Sequence, residues 1–100
     1  MSNQLPDAQV QAKTSFASKP WGLQAYVTLR NPGPLLAFFI ELRLVDPATG
    51  QTLLPVLWSD NYVSLPPGAS KTLQARLPGA FGVKPQLRLR GWNVKAQTIR

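Results

Sequence analysis

Leu36-Ala37-Phe38-Phe39-Ile40-Glu41-Leu42-Arg43-Leu44-Val45, followed at once by Asp46-Pro47-Ala48-Thr49-Gly50, is the stretch from which the fold reads most directly. Leu36, Phe38, Ile40, Leu42 and Leu44 fall on one face of an extended chain; Ala37, Phe39, Glu41, Arg43 and Val45 fall on the other. That period of two marks a half-buried β-strand, because successive side chains of a strand point to opposite faces. The next five residues make a turn, in which Pro47 sets φ and Gly50 accepts a positive φ. On the second face Glu41 and Arg43 read as a surface ion pair. Phe39 and Ala37 share that face, so the strand begins apolar on both sides. Exposed apolar patches tend to mark contact surfaces, which makes Phe39 a candidate interface residue unless the 53–68 segment covers it.

The same alternation extends outward. Leu23, Ala25, Val27 and Leu29 alternate with Gln24, Tyr26, Thr28 and Arg30, and Asn31-Pro32-Gly33-Pro34 ends that strand because neither proline can donate to a ladder. Leu73, Ala75 and Leu77 alternate with Thr72, Gln74 and Arg76, and Leu87 and Leu89 with Arg88 and Arg90. Val10, Ala12, Thr14 and Phe16 suit an edge strand. Prolines at 20, 32, 34, 47, 55, 66, 67, 78 and 85 cut the chain into short segments, as in all-β domains. The expected architecture is all-β, a two-sheet antiparallel sandwich of six to eight short strands, with a small OB-like barrel as the competing closure. Phe38, Ile40, Leu42, Trp58 and Leu89 are the expected core. Residues 1–100 read as one domain, with 1–8 as a flexible tail.

Composition narrows the chemistry. The hydrophobic fraction of 44% is that of a globular chain. No run approaches the ~20 apolar residues needed to span a bilayer, so no membrane partner is expected. Met1 to Gln11 is polar and does not read as a secretory signal. The sequence contains no cysteine and no histidine, which removes disulfides, thiolate metal sites and the usual general base. Neither a cofactor nor a metal is expected. The four acids, Asp7, Glu41, Asp46 and Asp60, show no pattern of the paired carboxyls that glycoside hydrolysis requires.

The net charge is +7, from eleven Lys and Arg. The densest group is Lys84, Arg88, Arg90 and Lys95, with no block of five or six like charges. A solvated basic surface, a face turned toward an acidic neighbouring domain and a polyanion site are all compatible with that distribution, in falling order of preference.

Leu53-Leu54-Pro55-Val56-Leu57-Trp58-Ser59-Asp60-Asn61-Tyr62-Val63-Ser64-Leu65-Pro66-Pro67-Gly68 is the densest run of special residues and reads as one hairpin. It resembles the hairpin of the small C-terminal immunoglobulin-like domain of family 2 glycoside hydrolases of the exo-β-glucosaminidase and β-mannosidase kind. Asn31-Pro32, Leu36-Ala37-Phe38-Phe39-Ile40 and Gly91-Trp92-Asn93-Val94 match the same pattern. The departures are mild: Leu57 stands where an aromatic is usual, Val63 replaces a Phe, and Ala69 follows Gly68 where an acid is customary.

The resemblance implies an immunoglobulin-like sandwich and a non-catalytic accessory role, with the catalytic domain of a parent glycosidase as partner in cis. In that family the catalytic glutamates sit in a separate barrel, none of whose motifs occurs here. It also implies an extracellular or periplasmic location. The residues singled out for the hairpin and interface are Trp58, Asp60, Asn61, Tyr62, Phe39, Trp92 and Asn93. Asp60 and Asn61 are expected to bond nearby main-chain amides at an irregular corner. Trp58 is expected to be buried and Trp92 partly exposed. Two other functions compete: a carbohydrate-binding module taking an oligosaccharide on Trp92, Trp21 and Tyr26, and a nucleic-acid binder using Arg88, Arg90 and Lys84. The basic residues do not interleave with aromatics, so nucleic acid is not an expected partner.

Overall fold

The computed structural model describes residues 7–53, 55–60, 62–79 and 84–99. Their regular structure is all strand, in chain order β1 (Gln11–Lys19), β2 (Gly22–Arg30), β3 (Ala37–Val45), β4 (Leu57–Trp58), β5 (Val63–Leu65), β6 (Ser70–Pro78), β7 (Gln86–Gly91) and β8 (Val94–Ile99). Two four-stranded antiparallel sheets form, ordered β1-β2-β6-β4 and β5-β3-β7-β8. The expected sandwich is what the chain adopts. In the first sheet β2 pairs β1 from Gly22↔Lys19 to Arg30↔Gln11, and β6 from Gly22↔Pro78 to Arg30↔Ser70. The β1–β2 hairpin turns on Pro20 and Trp21 alone. Gly22 has φ +147°, and any β-carbon there would collide with the Leu77 carbonyl. Only glycine closes that turn.

The core lies between the sheets. Ala25, Val27, Leu29, Leu73, Ala75 and Leu77 face Ile40, Leu42, Leu44, Leu87, Leu89, Val63 and Leu65. Phe16, Leu53, Val56 and Trp58 pack against its margin. Seven buried Leu and Ile side chains (Leu29, Ile40, Leu44, Leu73, Leu77, Leu87 and Leu89) are sealed from solvent. Each contributes about 1.5–3 kcal/mol by leaving water. Aliphatic packing therefore does what a disulfide does in many sandwiches of this size.

One end of the sandwich is tied by Asn31, which is 0% exposed. Its Nδ2 donates to the Leu35 and Leu65 carbonyls at 2.6 and 2.9 Å, and its Oδ1 accepts the Gly33 amide at 3.2 Å. Its own backbone N–H donates to the Ala69 carbonyl and its carbonyl accepts the Gly68 amide. Through side chain and backbone together, this one residue joins the β2–β3 and β5–β6 connections. At the far end, Asp46 Oδ1 accepts the Ala48 amide and its carbonyl accepts the Gly50 amide, closing the expected 46–50 turn.

The 53–68 segment is not a hairpin. The chain leaves the 46–50 turn beside β3, with a Val45↔Thr52 bridge and a Leu53 N–H to Leu44 carbonyl bond. It then crosses to the first sheet, where β4 pairs β6 through Leu57↔Arg76 and Trp58↔Ala75. It returns as β5, which pairs β3 in the second sheet. Corners of this kind are made where a strand switches sheets, and Tyr62, at φ +55°, lies on the return crossing. Ser59 ends the β4 pairing: its N–H donates to the Gln74 carbonyl and its Oγ accepts the Gln74 amide. Leu54 and Asn61 lie outside the described residues. Toward the N-terminus, Ala8 is buried and its N–H donates to the Asn93 carbonyl, so chain docking reaches residue 8, inside the expected tail. Of that tail, residues 1–6 lie outside the described residues.

Candidate functional site

The regular alternation read across 36–45 breaks at its start. Ala37 pairs Leu65 and Ile40 pairs Val63, so three steps on β3 oppose two on β5: a β-bulge. The extra residue puts both Ala37 and Ile40 into the core. Phe38 is turned out of it and half-buried, a correction to its expected core position. Phe39 takes φ +50° and stands 51% exposed. Left-handed backbone is costly for a bulky side chain, by about 1–2 kcal/mol, so surrounding contacts must hold it there.

Asn93 supplies several of those contacts. It is buried in the β7–β8 turn, with Oδ1 accepting the Phe38 amide at 2.8 Å and Nδ2 donating to the Leu36 carbonyl at 2.8 Å. The neighbouring Trp92 N–H donates to the Phe38 carbonyl at 3.0 Å. Gly91 completes the approach: a β-carbon there would lie 2.8 Å from the Phe38 oxygen. Ser64 Oγ accepts the Phe39 amide from the other side. Gly91-Trp92-Asn93 is therefore a clamp on the bulge.

The bulge and clamp display an aromatic cluster. The Phe39 and Trp92 rings stack with centroids 6.0 Å apart at 25°, and Phe38 meets Trp92 edge-on at 5.9 Å and 62°. Trp92 is 59% and Tyr62 58% exposed. Tyr62 Oη donates to Glu41 Oε2 at 3.2 Å, and Arg90 Nε donates to Glu41 Oε1 at 3.1 Å. Glu41 thus pairs across strands with Arg90 and not with Arg43. The antiparallel register sets Glu41 directly opposite Arg90, whereas its same-face neighbour on β3 is a full two-residue repeat away.

The other expected residues go elsewhere. Trp58 is half-buried against the core margin. Asp60 forms an ion pair with Lys71 at 2.7 Å, a role not expected of it. Asn61 falls outside the described residues, as noted above. Tyr26 sits in β2, in the other sheet from β3 and its bulge. Trp21, under the Arg76 guanidinium, lies in the β1–β2 turn at the opposite end from Trp92. Trp92, Trp21 and Tyr26 therefore make no common platform. Asp7 pairs Lys95 at 3.7 Å. Among the described residues, no three His, Cys, Asp or Glu side chains gather as a metal site would require.

Two packed four-stranded antiparallel sheets, here with a clamped, aromatic-bearing bulge on one of them, make the architecture of an immunoglobulin-like module. The family model of the exo-β-D-glucosaminidase Ig-fold domain matches residues 2–94, and the chain belongs to that family. It is similar to the exo-β-D-glucosaminidase of Amycolatopsis orientalis, 47% identical over 77 residues that make up 73% of this chain and 7% of the relative. It is also similar to that of Hypocrea jecorina, 38% identical over 98% of this chain and 11% of the relative. The crystal structure of Amycolatopsis orientalis exo-chitosanase CsxA superposes with a TM-score of 0.87 at 38% identity, covering 95% of this chain and 12% of that one. The chain thus spans about a tenth of the relatives it matches. Those relatives are glycoside hydrolases in which the matched part is a small Ig-fold domain.

Proposed function

We propose that this domain is a non-catalytic buttress that packs in cis on the catalytic part of a family 2 glycoside hydrolase through the Phe38–Phe39–Trp92 cluster. The observation that carries this reading is Phe39, held at φ +50° with half its surface in water and stacked on an exposed Trp92. A free-standing domain gains nothing from strained backbone that displays an aromatic ring. A domain with a neighbour gains a rigid apolar anchor, and interdomain surfaces of this type bury about 600–1,500 Å². Each acid's resolved bonding is to a cation, a phenol or its own turn, which supports a non-catalytic role. Direct capture of a polycationic glucosamine polymer is disfavoured by the charge of +7.

The test is the size of the native polypeptide, read by immunoblot of source cells with an antibody against this domain. A band several-fold heavier than 11.0 kDa is expected; a band at 11.0 kDa overturns the reading. A second arm adds neutral oligosaccharides and follows tryptophan fluorescence. A saturable shift lost in Trp92→Ala would replace the buttress with a sugar-binding platform.

A further inference from the structure

Beyond the aromatic cluster, the outer face of β3 and β7 holds an unbalanced set of charges. Arg43 lies directly opposite Arg88 in the ladder, one step along from the Glu41–Arg90 pair on the same face. Like charges directly opposed across an antiparallel pair destabilise it. Among the described residues, neither arginine takes part in an ion pair with an acid. Glu41 is divided between Arg90 and Tyr62, Asp60 holds Lys71, Asp7 holds Lys95, and Asp46 Oδ1 accepts the Ala48 amide. Arg88 Nε is buried without a hydrogen-bond partner, the one such side-chain atom among the described residues. Arg88 also lines a surface cavity of about 220 Å³, together with Glu41, Arg43, Arg90, Ala96 and Thr98, among others.

We infer that this cavity receives a carboxylate from an acidic segment of the parent polypeptide outside residues 1–100, an inference that rests on the docking reading above. Charge complementarity argues for that occupant: two arginines opposed in the ladder, both lining the cavity, and an unpartnered buried N–H match a carboxylate, which guanidinium binds in a bidentate fork. Continuity argues for its source. Arg90 is two residues from Trp92, and Glu41 two from Phe39, so a neighbour seated on the aromatic cluster extends directly over the arginines. The aromatic cluster supplies apolar area, and the arginine cavity fixes the orientation in which that area is used.

The experiment uses the full-length polypeptide. Arg88→Lys keeps the positive charge and introduces a primary amine, which a zero-length carbodiimide joins to a carboxylate only in direct contact. Mass spectrometry is expected to find a cross-link from position 88 to an Asp or Glu outside residues 1–100. Its absence, or a cross-link only to Glu41 or Asp46, overturns the inference.

Arg43→Gln/Arg88→Gln is the second variant. Amide exchange at Phe39 and Trp92 is expected to be slower in the full-length wild type than in the 100-residue chain, and faster by at least about tenfold in the double variant than in that wild type. Protection that survives the double variant leaves docking standing and removes the arginine site. No protection even in the wild type removes the docking reading itself. Binding of an oligouronide to the wild type that is lost in the double variant assigns the carboxylate to a ligand and overturns the parent-chain source.

Discussion

Asn93 Oδ1 accepts the Phe38 amide at 2.8 Å while Asn93 Nδ2 donates to the Leu36 carbonyl at the same distance, so one buried side chain satisfies both backbone groups that flank the start of β3. The bulge that exposes Phe39 depends on this bridge, because bending β3 there takes those groups out of the ladder.

Asn93→Ala is therefore expected to destabilise the domain by about 1–3 kcal/mol, since two part-buried backbone groups lose their partner. Urea denaturation should show a lower midpoint at an unchanged m-value. Asn93→Asp should be at least as damaging, because a carboxylate places charge against the Leu36 carbonyl. A midpoint within experimental error of the wild type in both variants would remove Asn93 from the clamp.

Gly91→Ala tests the close approach from the other side. Its added methyl meets the Phe38 oxygen at 2.8 Å and Val94 at 3.1 Å. The strand must shift, at a cost of about 1–3 kcal/mol, as for other overpacked sites. Tryptophan emission should redden at the same time, as Trp92 separates from Phe39.

Phe39→Gly separates stability from docking. It relieves left-handed strain worth about 1–2 kcal/mol and forfeits a ring stack worth about 0.5–1.5 kcal/mol. The melting temperature of the 100-residue chain should hardly move. In the full-length polypeptide, limited proteolysis should cut between this domain and the rest more readily. A variant that docks as well as the wild type would show that Phe39 is no anchor.

Trp58→Ala removes a half-buried indole from the core margin and leaves β4 with little to hold it. A loss of about 2–4 kcal/mol is expected, at the lower end of the range for buried large-to-small changes. Amide exchange at Ser59 and Gln74, which bond each other, should accelerate together. Full retention of thermal stability would show that Trp58 contributes nothing to the sandwich.

The strands were legible because each carries its own period-two record: β2, β3, β6 and β7 all coincide with alternations visible in the sequence. The bulge was not. Leu36-Ala37-Phe38-Phe39-Ile40 reads as unbroken alternation, and the residue that interrupts it, Asn93, stands 55 positions from Phe38. That alternation alone puts Phe38 in the core, whereas the bulge turns it out. The path of 53–68 was misread for a related reason: a proline-bounded, aromatic-rich stretch suggests a hairpin locally, whereas its pairing partners lie in β6 and β3. Glu41 with Arg90, and Arg43 against Arg88, follow from the β3–β7 register, which no single strand records. The exposure of Phe39 and Trp92 was legible because an apolar side chain on the polar face is visible one strand at a time.

The double crossing between Leu53 and Val63 has a mechanical meaning. A sandwich whose sheets are joined only by long loops can shear, one sheet sliding over the other as side chains re-seat. Here β4 is fastened to β6, β5 to β3, and only residues 59–62 separate them. So short a tether leaves almost no slack for sliding. A push delivered at Phe39 would be passed through both layers as displacement of a solid block; docked as proposed above, the domain would act as a stop and not as a spring.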